Sequence, residues 1–111
     1  MNWIMRKTFA EIGIYKDFEK MGKDEASPVS VAFEQPAQNA GAGPNLVMKQ
    51  KNGKDAKPFM DQVTKAIGSD RVKRSGDTWS VKEVTAKELE KVGKILQAKI
   101  QKTDPRVEQR A

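Results

Sequence analysis

The chain contains no cysteine and no histidine among its 111 residues. Without cysteine it cannot form a disulfide or a thiolate metal site. Without histidine it lacks every Ser-His or Cys-His nucleophile pair, every histidine-bound zinc or iron, and the usual general base near neutral pH. We therefore expect a protein that is not an enzyme and that needs no metal or cofactor.

Long apolar runs and aromatic residues are also scarce. No stretch approaches the roughly 20 apolar residues of a membrane-spanning helix, and residues 1–18 lack the apolar block of a secretory signal. Apolar residues make up 37% of the chain, which suits one small domain with a modest core. We expect a cytoplasmic protein without membrane contact.

The formal net charge of +6 is concentrated in the middle of the chain. Residues 1–44 carry five basic and six acidic groups, residues 45–74 carry eight and three, and residues 75–111 carry eight and six. A localised excess of cations favours an anionic partner. A net charge of this size is also common in small soluble domains, where it serves solubility alone.

The N-terminal segment can be interpreted in two ways. At helical spacing, Met5, Phe9 and Ile12 share one face. The cluster IGIY is β-branched and aromatic, however, which favours a strand over residues 8–16. We predict the strand, followed by a polar loop.

Two further strands are predicted before the first helix. Residues 29–35 alternate apolar and polar side chains after Pro28, as in a strand with one buried face. Residues 46–51 form the next strand, which Asn52-Gly53 ends with a turn signal. Between these strands, residues 36–45 are rich in Ala, Gly and Pro and predict a long mobile loop.

A short helix is predicted between Pro58 and Gly68. Pro58 suits the first helical position, and Gly68 suits the left-handed position after the end. Its predicted buried stripe consists of Phe59, Val63, Ala66 and Ile67, with Met60 beside it.

A β-hairpin follows, with its turn at Ser75-Gly76 or at Gly76-Asp77. Both registers place Val72, Trp79 and Val81 on the core face. Both also place three cations together on the opposite, solvent face: Arg71, Lys73 and Lys82.

The last helix has the strongest sequence signature. Thr85 and Glu88 form a capping box, and Val84 can pack on Leu89. Pro105 prevents the helix from continuing. The predicted buried stripe is Leu89, Val92, Leu96 and Ile100, with Ile95 beside it.

These elements give an α+β fold with the order βββαββα. An antiparallel sheet of four or five strands would carry two helices on one face. We expect one domain over residues 1–104 and a polar tail over residues 105–111.

Seven cations are candidates for binding nucleic acid through its phosphates. Some lie on the hairpin, where they could equally be a solvated edge that deters aggregation. The others surround the Asn52-Gly53 turn and could equally be a solvated loop. The candidates are Lys49, Lys51, Lys54, Lys57, Arg71, Lys73 and Lys82.

Other motifs are weak. Trp79 would stack on a base only if it were exposed, and we predict it and Tyr15 in the core. The Asp55–Lys57 segment, with Glu34 upstream, loosely resembles the D-x-K part of a metal-dependent nuclease site. Asp55 falls in a turn rather than a strand, so we reject a nuclease.

The sequence therefore favours a small, basic, non-enzymatic protein that binds the nucleic-acid backbone with low sequence specificity. The alternative is a small phage-type inhibitor or adaptor that binds a host protein, using a mixed patch or its basic face against an acidic protein surface.

Overall fold

The computed structural model describes residues 9–35 and 43–103. These residues form three α-helices separated by two pairs of strands, and the strands build one antiparallel sheet, so the predicted α+β class is confirmed. The elements are α1 (Phe9–Gly22), β1 (Val29–Glu34), β2 (Asn45–Gln50), α2 (Lys57–Ile67), a short 3-10 helix (Ser69–Arg71), β3 (Lys73–Ser75), β4 (Thr78–Val81) and α3 (Ala86–Thr103).

The four strands form one antiparallel sheet in the order β1-β2-β4-β3. Met48 of β2 lies opposite Val31 of β1 on one side and opposite Trp79 of β4 on the other. Arg74 of β3 also lies opposite Trp79. Because side chains alternate along each strand, this register fixes which residues share a face across the whole sheet.

All three helices pack on the same face of the sheet. Leu46, Met48 and Val81 are fully buried beneath them. One core cluster unites these strand residues with the apolar faces of the helices. The predicted Trp79 burial is confirmed, at 5% exposure. The opposite face of the sheet carries no helix within the part of the chain described here.

The predicted N-terminal strand over residues 8–16 is wrong, because residues 9–16 belong to α1, while residue 8 lies outside the described residues. Tyr15 and Phe18 are buried three residues apart, and Met21 continues the same stripe. The ring of Phe33 on β1 packs edge-on against Tyr15 and Phe18, at centroid distances of 5.5 and 6.4 Å. The helical spacing of apolar residues thus continues past residue 16 into the segment predicted as a polar loop. Tertiary packing of this apolar face overrides the β-propensity of IGIY.

Gly22 lets the end of α1 approach the sheet. A Cβ atom at this position would lie 2.6 Å from Cγ2 of Val31, a distance that packed side chains do not tolerate. Only glycine leaves room for β1 here.

The hairpin between β3 and β4 turns at Gly76-Asp77. Ser75 pairs with Thr78 across it, and Gly76 has a φ of 62°. Of the two turn residues only Gly76 has a positive φ, the pattern of a type II′ turn. The register therefore retains Trp79 on the core face, as predicted.

The remaining helix predictions are largely confirmed. In α2, Pro58 lies in the first turn and Met60 is buried rather than flanking. Gly68 follows the end as predicted, but its φ of 104° and ψ of 140° lie outside the left-handed helical region that was expected. In α3, the Glu88 amide donates to Thr85 Oγ1 at 3.1 Å, and the Thr85 amide donates to Glu88 Oε1 at 3.0 Å. This is the predicted capping box.

Parts of the predicted loop and tail lie outside the described residues, namely 36–42 and 104–111. Asn45, predicted in the loop, is the first residue of β2. Among the described residues, no helix combines the length and apolar character that crossing a membrane requires.

Replacing Leu96 by alanine should destabilise the protein by about 2–5 kcal/mol, because the side chain is fully buried and its loss leaves a cavity. Urea unfolding measures this change. The matched control is Gln97→Ala on the exposed side of α3, which should alter the midpoint little. Equal midpoints for the two variants would show that Leu96 does not lie in the core.

Candidate nucleic-acid interface

The face of the sheet opposite the helices is called here the outer sheet face. Strand alternation puts onto it the residues between the buried ones, so Val47 and Lys49 lie outward where Leu46 and Met48 lie inward. Its rows across the strands follow from the pairing. They are Ser30-Lys49-Thr78-Ser75, then Ala32-Val47-Ser80-Lys73, and then Glu34-Asn45, which Lys82 extends.

Two exposed lysines on strands, Lys49 and Lys73, occupy this face, and the exposed Lys82 lies in the turn directly after β4, at the end of this face. With strands about 5 Å apart and outward residues about 7 Å apart along a strand, their Cα atoms form a triangle with sides of about 8, 12 and 14 Å. Among the described residues, none of the three forms an ion pair. Their charges are therefore directed at solvent.

The side chains within and beside this triangle are small. Ser80 lies inside it and Val47 just outside its longest side, both half-buried, and Ala32 lies beside Val47. Glu34 places a carboxylate at one corner of the sheet, two strands away from Lys82. The outer sheet face thus presents small, uncharged side chains bordered by three lysines.

Sequence reasoning assigned Lys49 to the turn region, whereas the structure groups it with the hairpin lysines. The alternation of Leu46 and Met48 with Val47 and Lys49 was the signal. The missing information was the pairing of β2 with β4, which no local pattern specifies.

Arg71 departs from the predicted geometry, because it does not project with Lys73 and Lys82. Its side chain is 33% exposed, and it makes a two-point ion pair with Glu88, with Nε–Oε2 and Nη2–Oε1 distances of 2.9 Å. Nη2 also donates to the Lys82 carbonyl at 2.9 Å. The strand begins only at Lys73, so strand alternation does not extend back to a residue in the 3-10 helix.

Two of the turn lysines also have partners within the protein. Lys51 Nζ donates to the Asp24 carbonyl at 2.7 Å, which ties the end of β2 to the end of α1. Desolvation lowers the pKa of Lys51. Lys57 Nζ pairs with Asp61 on its own helix at 3.1 Å. Neither lysine therefore belongs to the outer sheet face.

Lys54 lies in the connection between β2 and α2 and is half-buried. Its amide donates to the Lys51 carbonyl at 3.0 Å, and Gly53 has a φ of 79°, so the predicted turn is present. The structure does not bring Lys54 onto a strand of the sheet. Of the seven candidate cations, three share one surface.

The aromatic side chains near this region do not face outward. Trp79 lies on the core face, where the Arg74 guanidinium is 4.9 Å from its ring centroid. Tyr15 is buried, and its hydroxyl donates to the Val84 carbonyl at 2.7 Å. Burial raises the pKa of Tyr15 to about 12. Neither ring is positioned to stack on a base.

The acidic residues considered for a metal site do not come together. Glu34 pairs with the first residue of β2, whereas Asp55 lies five residues beyond the end of that strand. Asp55 Oδ1 instead accepts from the Lys57 amide at 3.1 Å, at the start of α2. In the described ranges, no group of three acidic side chains could hold a metal ion.

Comparison of the chain with protein-family models, with curated proteins and with solved structures finds no match.

Glu88 is central to the support of the hairpin. Its hydrogen bond from Arg71 lowers its pKa below the ordinary value, although partial burial acts in the opposite direction. Hydrogen bonds from Thr85 lower the pKa further. The same carboxylate therefore caps α3 and, through its ion pair with Arg71, binds the 3-10 helix that precedes β3.

Replacing Glu88 by glutamine should lower the free energy of unfolding by about 1.5–3 kcal/mol at neutral pH, the range for hydrogen bonds to charged groups. Because the folded-state pKa is lowered, the contribution of the carboxylate is complete above the ordinary pKa. It is lost as the pH falls through the folded-state pKa. Urea unfolding should thus show that the difference in free energy of unfolding between wild type and Glu88→Gln becomes smaller below about pH 4.

Asp61→Asn is the matched control, because it removes an exposed ion pair within one helix. Its effect should stay within about 0.5 kcal/mol. A loss for Glu88→Gln that equals the control, or that does not vary with pH, would contradict the role given to the Arg71–Glu88 pair.

Proposed function

We propose that the protein binds the nucleic-acid backbone through the outer sheet face. The observation that carries the proposal is the clustering of Lys49, Lys73 and Lys82 at one face of the sheet, on which residues 9–35 and 43–103 place no helix. Phosphates attract lysines at long range, and each neutralised phosphate releases condensed counterions. Binding would therefore be strong at low salt and weak at high salt.

The small side chains between the lysines support this mode of binding. Val47, Ser80 and Ala32 do not protrude, so a phosphate backbone can approach the sheet and meet the lysine ammonium groups. Lysine acts as a flexible point charge and does not impose the fixed geometry of a guanidinium. The surface is therefore suited to contacting successive phosphates of a nucleic-acid backbone.

The same surface offers little for sequence readout. Base edges are read by donors and acceptors placed in a groove, and single strands by aromatic platforms. The described outward positions of the four strands carry no aromatic residue. We therefore infer low sequence specificity. We also expect no preference for single strands of the kind that stacking of bases on aromatic side chains would produce.

Duplex DNA should protect Lys49, Lys73 and Lys82 from acetylation, because a bound backbone would cover their ammonium groups. The measurement is mass spectrometry of protein treated with a lysine acetylating reagent, with and without duplex. Protection should disappear in high salt, because salt weakens phosphate contacts. Two duplexes of unrelated sequence should give the same pattern.

Exposed lysines away from the outer sheet face provide the control. Lys16 and Lys23 lie on or just after α1, and Lys65 lies on α2. They should react equally with and without duplex. Equal protection of the two sets would indicate diffuse attraction to a cationic protein, and no protection of either set would remove the proposal.

The alternative function, an adaptor for a host protein, would use the same three lysines against an acidic protein surface. It is favoured if duplex DNA protects none of them while one defined protein from a lysate does. Electrostatic complementarity would then guide a protein partner in place of phosphates.

A further inference from the structure

A second basic surface runs along α3. The lysines at positions 87, 91, 94 and 102 are exposed and, at 100° per residue, fall within a stripe about 80° wide. We call this the helix stripe. It spans about 22 Å along the helix axis. In the described residues these four lysines form no ion pair.

The acidic residues of α3 do little to neutralise the helix stripe. Glu88 is held by Arg71 and by the capping box. Glu90 is exposed and lies at the edge of the stripe. The stripe therefore carries four lysines and one flanking carboxylate.

The helix stripe points away from the sheet. The buried residues of α3, among them Leu89, Val92 and Leu96, face the core, and at 100° per residue the lysines lie on the opposite side of the helix. Helix α3 contacts both α1 and α2, so it is the middle helix of the layer. The outer sheet face is the far side of the other layer, so the two basic surfaces have opposite directions.

We propose that the protein bridges two duplex segments, one on the outer sheet face and one on the helix stripe. This inference rests on the proposed function and extends it. A straight duplex cannot contact two opposed faces of one small domain at once, so the second face remains available to a second duplex. A straight row of lysines suits a rod with one phosphate per about 1.7 Å of its axis.

Bridging can be measured by energy transfer between donor-labelled and acceptor-labelled copies of one short duplex. Wild-type protein should produce transfer when protein is scarce relative to duplex. Excess protein should abolish transfer, because each duplex then carries its own proteins. Fluorescence anisotropy of one labelled duplex, in the same buffers, measures binding independently of bridging.

Two variants remove the surfaces separately, with glutamine retaining the length of each side chain. The sheet variant carries Lys49→Gln, Lys73→Gln and Lys82→Gln. The helix variant carries K87Q, K91Q, K94Q and K102Q. Each variant should keep salt-sensitive binding in anisotropy, but its energy transfer should fall to that of the protein-free mixture. The combined variant should lose both the salt-sensitive binding and the energy transfer.

A control variant with Lys16→Gln, Lys23→Gln and Lys65→Gln loses the same charge as the sheet variant and should bridge like wild type. Circular dichroism melting verifies that each variant folds. Wild-type binding without transfer at any ratio would overturn bridging and leave the proposed function intact. The stripe would then be a solvated face or a contact for an acidic protein.

Wild-type transfer that persists in the helix variant would also overturn the inference, because it would indicate bridging by self-association. No salt-sensitive binding of wild type in anisotropy would remove the proposed function and the inference together.

Discussion

The alternation of side chains along β2 and β4 is the constraint on which the rest of the structure depends. Leu46, Met48 and Val81 must face the helices, because they supply the fully buried centre of the sheet. Every residue between them is thereby forced outward. A register shift by one residue would bury Lys49 and expose Leu46, so the hydrophobic core and the cationic surface are specified together.

The Arg71–Glu88 pair connects that sheet to the helix layer. Arg71 ends the 3-10 helix before the hairpin, and Glu88 lies in the first turn of α3. The Arg71 guanidinium also donates to the carbonyls of Lys82 and Glu83. Glu83 has a positive φ of 50°, and its amide donates to Asn45 Oδ1 at 3.0 Å. The connection between β4 and α3 is thus held from both sides, which fixes the backbone that carries Lys82.

Local patterns in the sequence were sufficient for β1, α2, the hairpin and α3. Two examples are the capping box at Thr85 and the location of Trp79 on the same face of the hairpin as Val72. Both depend only on residues nearby in the sequence, so they could be predicted without tertiary information. Helix α1 could not, because IGIY favours a strand locally and only packing of Tyr15 and Phe18 against Phe33 decides otherwise.

The candidate site was predictable only in part for the same reason. Lys73 and Lys82 follow from the hairpin register, and Lys49 joins them only through the pairing of β2 with β4. Arg71 was misplaced because its ion pair crosses 17 residues to a helix. The helix stripe is present in the sequence as lysines at helical spacing, whereas the charge excess over residues 45–74 favoured a site in the middle of the chain.

The central claim is that the three lysines of the outer sheet face contact phosphates. The most direct test measures duplex affinity against salt on a chain whose helix stripe is already neutralised, so that only one basic surface remains. On that chain the slope of log affinity against log salt should be about −2.7, since each of the three phosphate contacts contributes about 0.9, and adding Lys49→Gln, Lys73→Gln and Lys82→Gln should abolish the salt-sensitive binding. An unchanged slope would contradict the claim and leave the outer sheet face as a solvated surface.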